Sequence, residues 1–478
     1  MNKLKIWQSR LFYLILFLLP TNLAKHFPLS SSYVSGILVD YLIPTFYLTD
    51  ILIIALLFLW FISRLKSPQT PLFRPSFKLS RSPYLIFLLL LLPSVILSSS
   101  PLPAVYKLLK LFQFTLLALW IKQHQPSTKL IIRSLTLAVL FQSTLAIAQW
   151  FNQSSIFGYW FLGEQPYTPA TPGIDTITWF DGSLKIPPLG TLPHPNVLGG
   201  FLALTIPLLI SRFSSKLSLM TAFLGSLALF LTFSLSAWLA LLLIGLPATL
   251  LLTYQLRQAS AARHQQLSLI RQLPRFNYWQ QVINAHTTQP TNIRTSGRGT
   301  KSISVKIGLF YLIILIPIVI FFKNLSFLAP QSSFTRRSQL ATISLAIFKQ
   351  HSLTGIGLNN FTAVMENYGY ISATTRFLQP VHNIFLLILS ETGLIGLIGF
   401  LCLLLSPLIT RQRPLFLIPY LSLLFLGLFD HYPLTIQPSI LLLFILFGLL
   451  NQPASTDRNH YQKTSSNYIL SGASTPRR

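Results

Sequence analysis

The stretch QPVHNIFLLILSETGLIGLIGFL, residues 379–401, places ionisable side chains in a segment that is long and apolar enough to cross a bilayer. It opens on His382, whose imidazole can titrate near neutral pH and take a proton from a hydroxyl group. On an ideal helix Gly393 and Gly396 lie about 20° and 40° from the direction of His382. This spacing predicts one helical stripe, with His382 at its outer end and glycines below that admit a neighbouring helix.

Glu391 points about 180° away from His382 on the same ideal helix and lies about 13 Å deeper, so these two residues cannot form a catalytic pair. A carboxylate at that depth normally faces protein or a water-filled cavity. We expect a structural role with a buried cation as partner. Candidate partners are Lys107 and Lys110, which share a face of another apolar segment. For these lysines, snorkelling toward the headgroups and a role in a polar cavity are both open.

These residues belong to a chain of 478 residues in which 52% are apolar and only 9% are charged. Such a composition is typical of a polytopic membrane protein and excludes a soluble fold. The one cysteine, Cys402, lies in an apolar run, which excludes a disulfide framework and a cysteine-based metal site. The nine acidic residues are scattered and show no close carboxylate pair, so the sequence predicts no metal and no cofactor.

The expected fold class is all-α: a polytopic transmembrane helical bundle of about 12 spans over residues 1–454, followed by a disordered cytoplasmic tail at 455–478. The candidate spans lie near 8–26, 44–63, 83–99, 102–121, 134–151, 196–211, 217–234, 236–254, 305–322, 382–405, 414–429 and 433–450. With the N-terminus inside, most of the 36 Lys and Arg residues fall on inner segments, including the basic cytoplasmic loop 255–304. The positive-inside rule therefore predicts a multi-pass protein of the cytoplasmic (inner) membrane with both termini in the cytoplasm. The net charge of +27 has this topological explanation, and no nucleic-acid partner is expected.

Two connections on the predicted outer side, 152–195 and 323–381, are long enough to be functional. The first interleaves aromatic side chains with carboxylates, namely Tyr159, Trp160, Phe161, Trp179 and Phe180 with Glu164, Asp175 and Asp181. These suit a ring-shaped polar ligand such as a sugar, and an interfacial aromatic belt is an equal alternative. The second has an apolar face after Arg336 and Arg337, formed by Leu340, Ile343, Leu345, Ile347 and Phe348. It predicts a helix on the outer surface of the bundle.

The order and spacing of five short motifs resemble those of the O-antigen ligase and O-antigen polymerase superfamily. The motifs are the histidine motif with His382, Asn383, Gly393 and Gly396; LPHPNVLGGFL (192–202), with His194, Asn196 and Gly199; the segment from Arg337 to His351; the phrase with Gly355 and Gly357 that ends at Phe361; and GLFDHYPL (427–434), with Asp430 and His431. Their glycines, like Glu391, are expected to be structural.

The resemblance implies a metal-independent glycosyltransferase on the outer face of the membrane, acting on a glycan linked to undecaprenyl pyrophosphate. In such an enzyme His382 would be the base or acceptor-orienting residue, Arg337 would bind the pyrophosphate, and Asp430 would orient a histidine or an acceptor hydroxyl. Further candidates for substrate binding are Arg336, Asn383, Lys107, Lys110 and Lys185. His194 and Asn196 are also candidates, with a role at a helix start as the alternative. The acceptor stays open between a glycan, a lipid and a protein.

Two departures from the family pattern bear on the activity. Leu235, in TFSLSAW, stands where the family usually has an arginine, so a second phosphate-binding cation is missing from its expected place. The residues that can substitute are Arg336, Lys185, Lys107 and Arg376. LIGF after Gly396 lacks the threonine, tyrosine and proline of some ligases, which favours the polymerase type. Two other functions stay open: a bicarbonate-like small-anion transporter of the same superfamily, and a non-catalytic partner in a glycan-assembly complex.

Overall fold

The described part of the chain is mostly helical, which confirms the helical class. The computed structural model describes residues 2–66, 82–179, 181–211, 216–251, 331–369, 376–410 and 413–452, together with Tyr254, Gln255 and Gln258. The predicted span near 305–322, the tail at 455–478 and nearly all of the basic loop 255–304 lie outside the described residues.

The helices differ from the predicted spans mainly at their ends. They are α1 (Asn2–Phe17), α2 (Leu48–Leu65), α3 (Pro83–Ile96), α4 (Pro101–His124), α5 (Thr128–Asn152), α6 (Pro195–Ile210), α7 (Lys216–Leu231), α8 (Leu235–Ala240), α9 (Gln331–Gln350), α10 (Phe361–Val364), α11 (Ile384–Thr410), α12 (Leu417–Gly427), α13 (Tyr432–Thr435) and α14 (Gln437–Leu450). A π-helical turn, Leu241–Gly245, continues α8. Within the described residues, four helices are long and apolar enough to cross a membrane, namely α2, α4, α5 and α11.

Two helices, α6 and α14, form the centre of the bundle. Every residue of α14 is buried, as is every residue of α6 except Asn196. A helix that is apolar on all sides is expected to be surrounded by protein. α6 packs against α7 and α12, whereas α14 packs against α4. Proline at the first position of α4 and α6 fixes where these helices begin, because its φ angle suits the first turn and no N–H group is lost there.

The connection between α1 and α2 is longer than the sequence predicted. The first span was expected to reach residue 26, but α1 ends at Phe17, shortly before Pro20, which cannot continue a helix. Residues 18–47 form four short strands: β1 (Ala24–His26), β2 (Tyr33–Val34), β3 (Ile37–Leu38) and β4 (Thr45–Tyr47). β1 pairs with β4 and β2 with β3, both antiparallel. A further antiparallel pair, β5 (Ile177–Thr178) and β6 (Leu184–Lys185), lies in the connection before α6.

The predicted surface helix is present as α9, which packs against α11. Leu340, Ile343 and Ile347 are buried, as one face of a helix requires. Leu345 is 45% exposed, so its assignment to the apolar face was wrong. Five helical residues turn the chain by about 500°, which points Leu345 well away from Leu340.

α11 is broken at Gly393, whose φ of +62° lies in the left-handed region. Four backbone hydrogen bonds of 2.9–3.2 Å join the break to the loop after α9: Ile356 to Ser390, Gly357 to Glu391, Leu394 to Ser352 and Ile395 to Leu353, each from N–H to C=O. A Cβ atom on Gly393 would overlap the carbonyl group of Leu353, so only glycine allows this approach. Backbone groups freed by the break are therefore paired inside the protein, as the interior of a membrane demands.

The predicted stripe of His382, Gly393 and Gly396 is consequently wrong. The side chain of Asn383 accepts hydrogen bonds from the N–H groups of Phe385 and Leu386, at 2.9 and 3.0 Å, and so caps the start of α11. His382 lies before this cap, outside the helix. Gly393 contacts a loop and not a neighbouring helix.

Candidate functional site

One cavity of about 840 Å³ collects most of the predicted site residues. The predicted residues on its wall are Lys107, Lys110, His194, Asn196, Arg336, Arg337, His382 and Asp430. The starts of α6 and α14 border it, together with later turns of α4 and residues that precede α2 and α11. Because helix N-termini carry partial positive charge, this arrangement favours a negatively charged ligand.

Arg337 and His382 come from separate parts of the chain and line this same cavity. Arg337 lies near the start of α9, and its Nη1 donates a hydrogen bond of 2.6 Å to the Phe429 carbonyl. The guanidinium of Arg336 lies 5.1 Å from the ring centroid of Phe377, in a cation–π contact. Arg337 therefore reaches the segment that carries Asp430, while Arg336 is held at the rim by Phe377.

The segment after α12 supplies a compact group of polar side chains. Asp430 and His431 are both buried, and the His431 Nδ1 lies 2.7 Å from the Thr435 hydroxyl. The His431 ring lies edge-on to the rings of Tyr41 and His382, with centroids 5.3 and 5.0 Å apart. His431 thus packs directly against the predicted base.

Four histidines line the cavity, and their hydrogen bonds distinguish them. Partners occupy three of them: Thr45 and Tyr159 bind His26, the Asn196 N–H and Asp175 bind His194, and Thr435 binds His431. By contrast, the Nδ1 of His382 is buried and has no hydrogen-bond partner in the described part of the protein. Of these four side chains, His382 is the one that makes no hydrogen bond to the described residues.

Burial and nearby charges set the ionisation of this group. Burial lowers the pKa of His382 below its ordinary value, and the carboxylate of Asp430 partly opposes that shift. Burial lowers the pKa of His431 to about 3. For Asp430, burial acts to raise the pKa, but His431, His382 and Arg337 hold it below its usual range. At neutral pH the two imidazoles are therefore mostly uncharged and Asp430 is ionised.

Two lysines of α4 face the cavity, and they differ in whether their hydrogen-bond partner is charged. Lys110 forms a buried ion pair with Asp50 and a hydrogen bond of 3.2 Å to Gln437. Lys107 donates a hydrogen bond of 2.6 Å to the carbonyl of Leu434. The proposed pairing of Glu391 with Lys110 was therefore wrong, since Asp50 takes that place.

Glu391 instead holds the loop that crosses α11. Its two carboxylate oxygens accept hydrogen bonds from the N–H groups of Asn359 and Phe361, at 2.9 and 3.1 Å. Between these residues, the Asn360 side chain makes two hydrogen bonds to the backbone of Ser100, at 2.6 and 3.1 Å. These contacts are structural and connect α11 to the start of α4.

Several predicted residues do not line the cavity. Asn383 uses its side chain to cap α11 and to bind the Leu428 carbonyl, and Lys185 lies on β6. Gly355 and Gly357 lie in the loop across α11, where added Cβ atoms would overlap Glu391 and Ser98. Leu235, at the start of α8, is also absent from the wall. The structure thus gives Asn383 and these glycines positions that shape the backbone.

The aromatic loop before α6 contains residues that fit each of the two predicted alternatives, a sugar-binding surface and an interfacial aromatic belt. Tyr159 lines the cavity and donates a hydrogen bond to the Ala24 carbonyl, whereas Trp160 is 90% exposed. Glu164 accepts backbone hydrogen bonds from residues 156–158, and Trp179 packs against Trp150. Phe180 lies outside the described residues.

His382, Asp430 and His431 can also be considered as metal ligands, because one ligand atom from each lies within 4.8 Å of the others. Imidazole and carboxylate groups suit a zinc-like ion. Arg337 lies close enough to lower the pKa of Asp430, and such a charge disfavours a cation at the same place. The group therefore has the donor atoms for a metal ion, with the positive charge of Arg337 beside it.

The wall residues to which sequence reasoning assigned no role include His26, Tyr41 and His431. The adjacent Asp430 and His431 could have been recognised as a pair, because both lie in the motif that predicted Asp430. The other two belong to the connection 18–47, which carried no signal for a site.

The fold and the cavity define a helical integral membrane protein with a cationic, histidine-containing site. Residues 220–401 match the family model described as O-antigen ligase. This match confirms the resemblance to the O-antigen ligase superfamily. Arg337 and His382 lie inside the matched region, whereas His194 and Asp430 lie outside it. No curated protein matches the chain.

Proposed function

We propose that the chain is a membrane glycosyltransferase of the O-antigen ligase or polymerase type, which transfers or polymerises a glycan from an undecaprenyl-pyrophosphate-linked donor. One observation carries the proposal: a guanidinium, Arg337, and an imidazole that makes no hydrogen bond to the described residues, His382, line the same cavity. The family match supports this class of enzyme and lipid-linked glycans in general.

In this mechanism His382 is the base. The acceptor hydroxyl oxygen bonds to the anomeric carbon of the donor sugar, its proton passes to His382, and the bond from that carbon to the pyrophosphate oxygen breaks. Undecaprenyl pyrophosphate leaves with the bonding electrons. Arg337 stabilises this anion through paired hydrogen bonds, which a guanidinium makes readily with phosphate oxygens. Because the leaving group is already a stable anion, the mechanism needs no metal ion.

The proposal also fixes the orientation of the cavity in a bundle of about twelve spans. If the N-terminus is cytoplasmic, α1 ends on the outer side, and the connection 18–47 that contributes Tyr41 to the wall lies there as well. The distribution of basic residues supports this orientation in the inner membrane. The acceptor, a glycan, a lipid or a protein, would then approach from outside.

The test is complementation of a strain that lacks the chain. Wild type, His382→Ala and Arg337→Ala are expressed at matched levels, and undecaprenyl-linked glycan is extracted and quantified. We expect the donor to accumulate in both variants and not with wild type. Matched controls are His124→Ala and Arg133→Ala, which remove the same side-chain types from positions that do not line the cavity. Normal glycan processing by both site variants would overturn the proposal.

A further inference from the structure

Two cations of the cavity are anchored on the same short segment of backbone. Arg337 binds the carbonyl of Phe429 and Lys107 binds the carbonyl of Leu434, each at 2.6 Å. Asp430 and His431 lie between these two carbonyls along the chain. The cations therefore flank the segment that packs against the proposed base.

The hydrogen-bond partner of Lys107 carries no charge, and the predicted counter-charge, Glu391, acts on Lys107 only from beyond ion-pair distance. A carbonyl is neutral and takes one of the three N–H donors of an ammonium group, so two donors remain for a ligand. Two other cations of the described residues, including the neighbouring lysine of α4, do have carboxylate partners: Asp50 binds Lys110, and Glu366 binds Arg376. Lys107 has no carboxylate within ion-pair distance among the described residues, although it lies on a membrane-crossing helix. An unpaired charge at such a place is costly and indicates a functional site.

We infer that Lys107 and Arg337 form a two-cation clamp for the diphosphate of a lipid-linked substrate, in which each cation binds a different phosphate group. The inference rests on the proposed function and names a positioning residue for it. Lys107 then makes the site selective for a diphosphate over a monophosphate, because a monophosphate can engage Arg337 alone. Both cations also stabilise the anion that departs during transfer.

The experiment measures binding of farnesyl pyrophosphate and farnesyl monophosphate to the purified full chain in nanodiscs. Wild type is expected to prefer the pyrophosphate. Lys107→Met is expected to weaken pyrophosphate binding about tenfold or more, as the loss of charge-assisted hydrogen bonds implies, and to leave monophosphate binding nearly unchanged. Lys107→Arg should retain the preference. Lys122→Met, at the other end of α4, is the matched control.

The outcomes separate the two proposals. If wild type prefers the pyrophosphate and Lys107→Met keeps that preference, the clamp is wrong and the proposed function stands. If wild type binds neither lipid, the proposed function fails and the clamp fails with it. Should Lys107→Met not accumulate in the membrane, Lys107→Gln provides the same comparison, because its amide can still bind the Leu434 carbonyl without a charge.

Discussion

The imidazole of His382 lies edge-on to the imidazole of His431, with an angle of 76° between their planes. Thr435 and the ring of Tyr41 hold His431 in place, and burial keeps it neutral. His431 is therefore a fixed, neutral neighbour of His382, the proposed base. Asp430, next in the chain, supplies the negative charge that opposes the effect of burial on His382.

The rate of transfer should fall at acid pH as His382 becomes protonated. Because burial lowers the pKa of His382, the fall should be centred below the ordinary value of 6.5. Asp430 favours the protonated imidazole, so Asp430→Asn should move the acid limb to still lower pH. The measurement is the pH profile of the transfer rate. Asp175→Asn is the control, since that carboxylate binds His194 and should leave the limb in place. An upward shift in Asp430→Asn would contradict this assignment.

Chelation should leave activity intact. Arg337 near Asp430 disfavours a divalent ion at the group formed by His382, Asp430 and His431, so we expect protein treated with EDTA to transfer glycan at the untreated rate. Elemental analysis of the purified protein should find metal only below stoichiometric amounts. Loss of activity that zinc or manganese restores would instead assign these three residues to a metal site.

Breaking the buried ion pair of Asp50 and Lys110 should destabilise the bundle. Asp50→Asn leaves a buried ammonium without its counter-charge, and removal of one partner of such a pair costs about 3–5 kcal/mol. The measurement is the free energy of unfolding in mild detergent. The double variant Asp50→Leu with Lys110→Met should lose less than the sum of the single variants. Glu366→Gln breaks the more exposed pair with Arg376 and should cost about 1 kcal/mol or less.

Alanine at the break of α11 should disturb both stability and activity. Gly393→Ala strains a left-handed backbone and also forces a Cβ atom onto the carbonyl of Leu353. Gly173→Ala is the matched control, because Gly173 has a similar φ of +75° but open space around it. We expect the control to cost about 1 kcal/mol of backbone strain and Gly393→Ala to cost clearly more. Equal decreases in the thermal unfolding midpoint for Gly393→Ala and Gly173→Ala would show that the close contact with the Leu353 loop adds no destabilisation beyond backbone strain.

Hydropathy predicted most of the described helices because it is a local pattern, whereas the joint placement of Arg337 and His382 was expected from the family resemblance and not from either segment alone. The connection 18–47 was missed because Leu18, Leu19 and Leu23 extend the first apolar run past the end of α1. Hydropathy does not distinguish a leucine in a helix from a leucine in a buried loop. The stripe below His382 was wrong because a helical wheel assumes an unbroken helix. Neither the cap at Asn383 nor the left-handed φ of Gly393 can be deduced from hydropathy, and the pairing of Lys110 with Asp50 joins residues far apart in the chain.

The two hydrogen bonds between the side-chain amide of Asn360 and the backbone of Ser100 bear on how the protein responds to its lipid surroundings. It fastens the beginning of α4, and with it Lys107, to the loop that Glu391 anchors on α11. The distance from the Lys107 ammonium group to the His382 imidazole is thus set by contacts within the protein. Bilayer thickness should then govern how readily an isoprenoid tail enters, while the geometry of the reacting groups stays the same from one membrane to another.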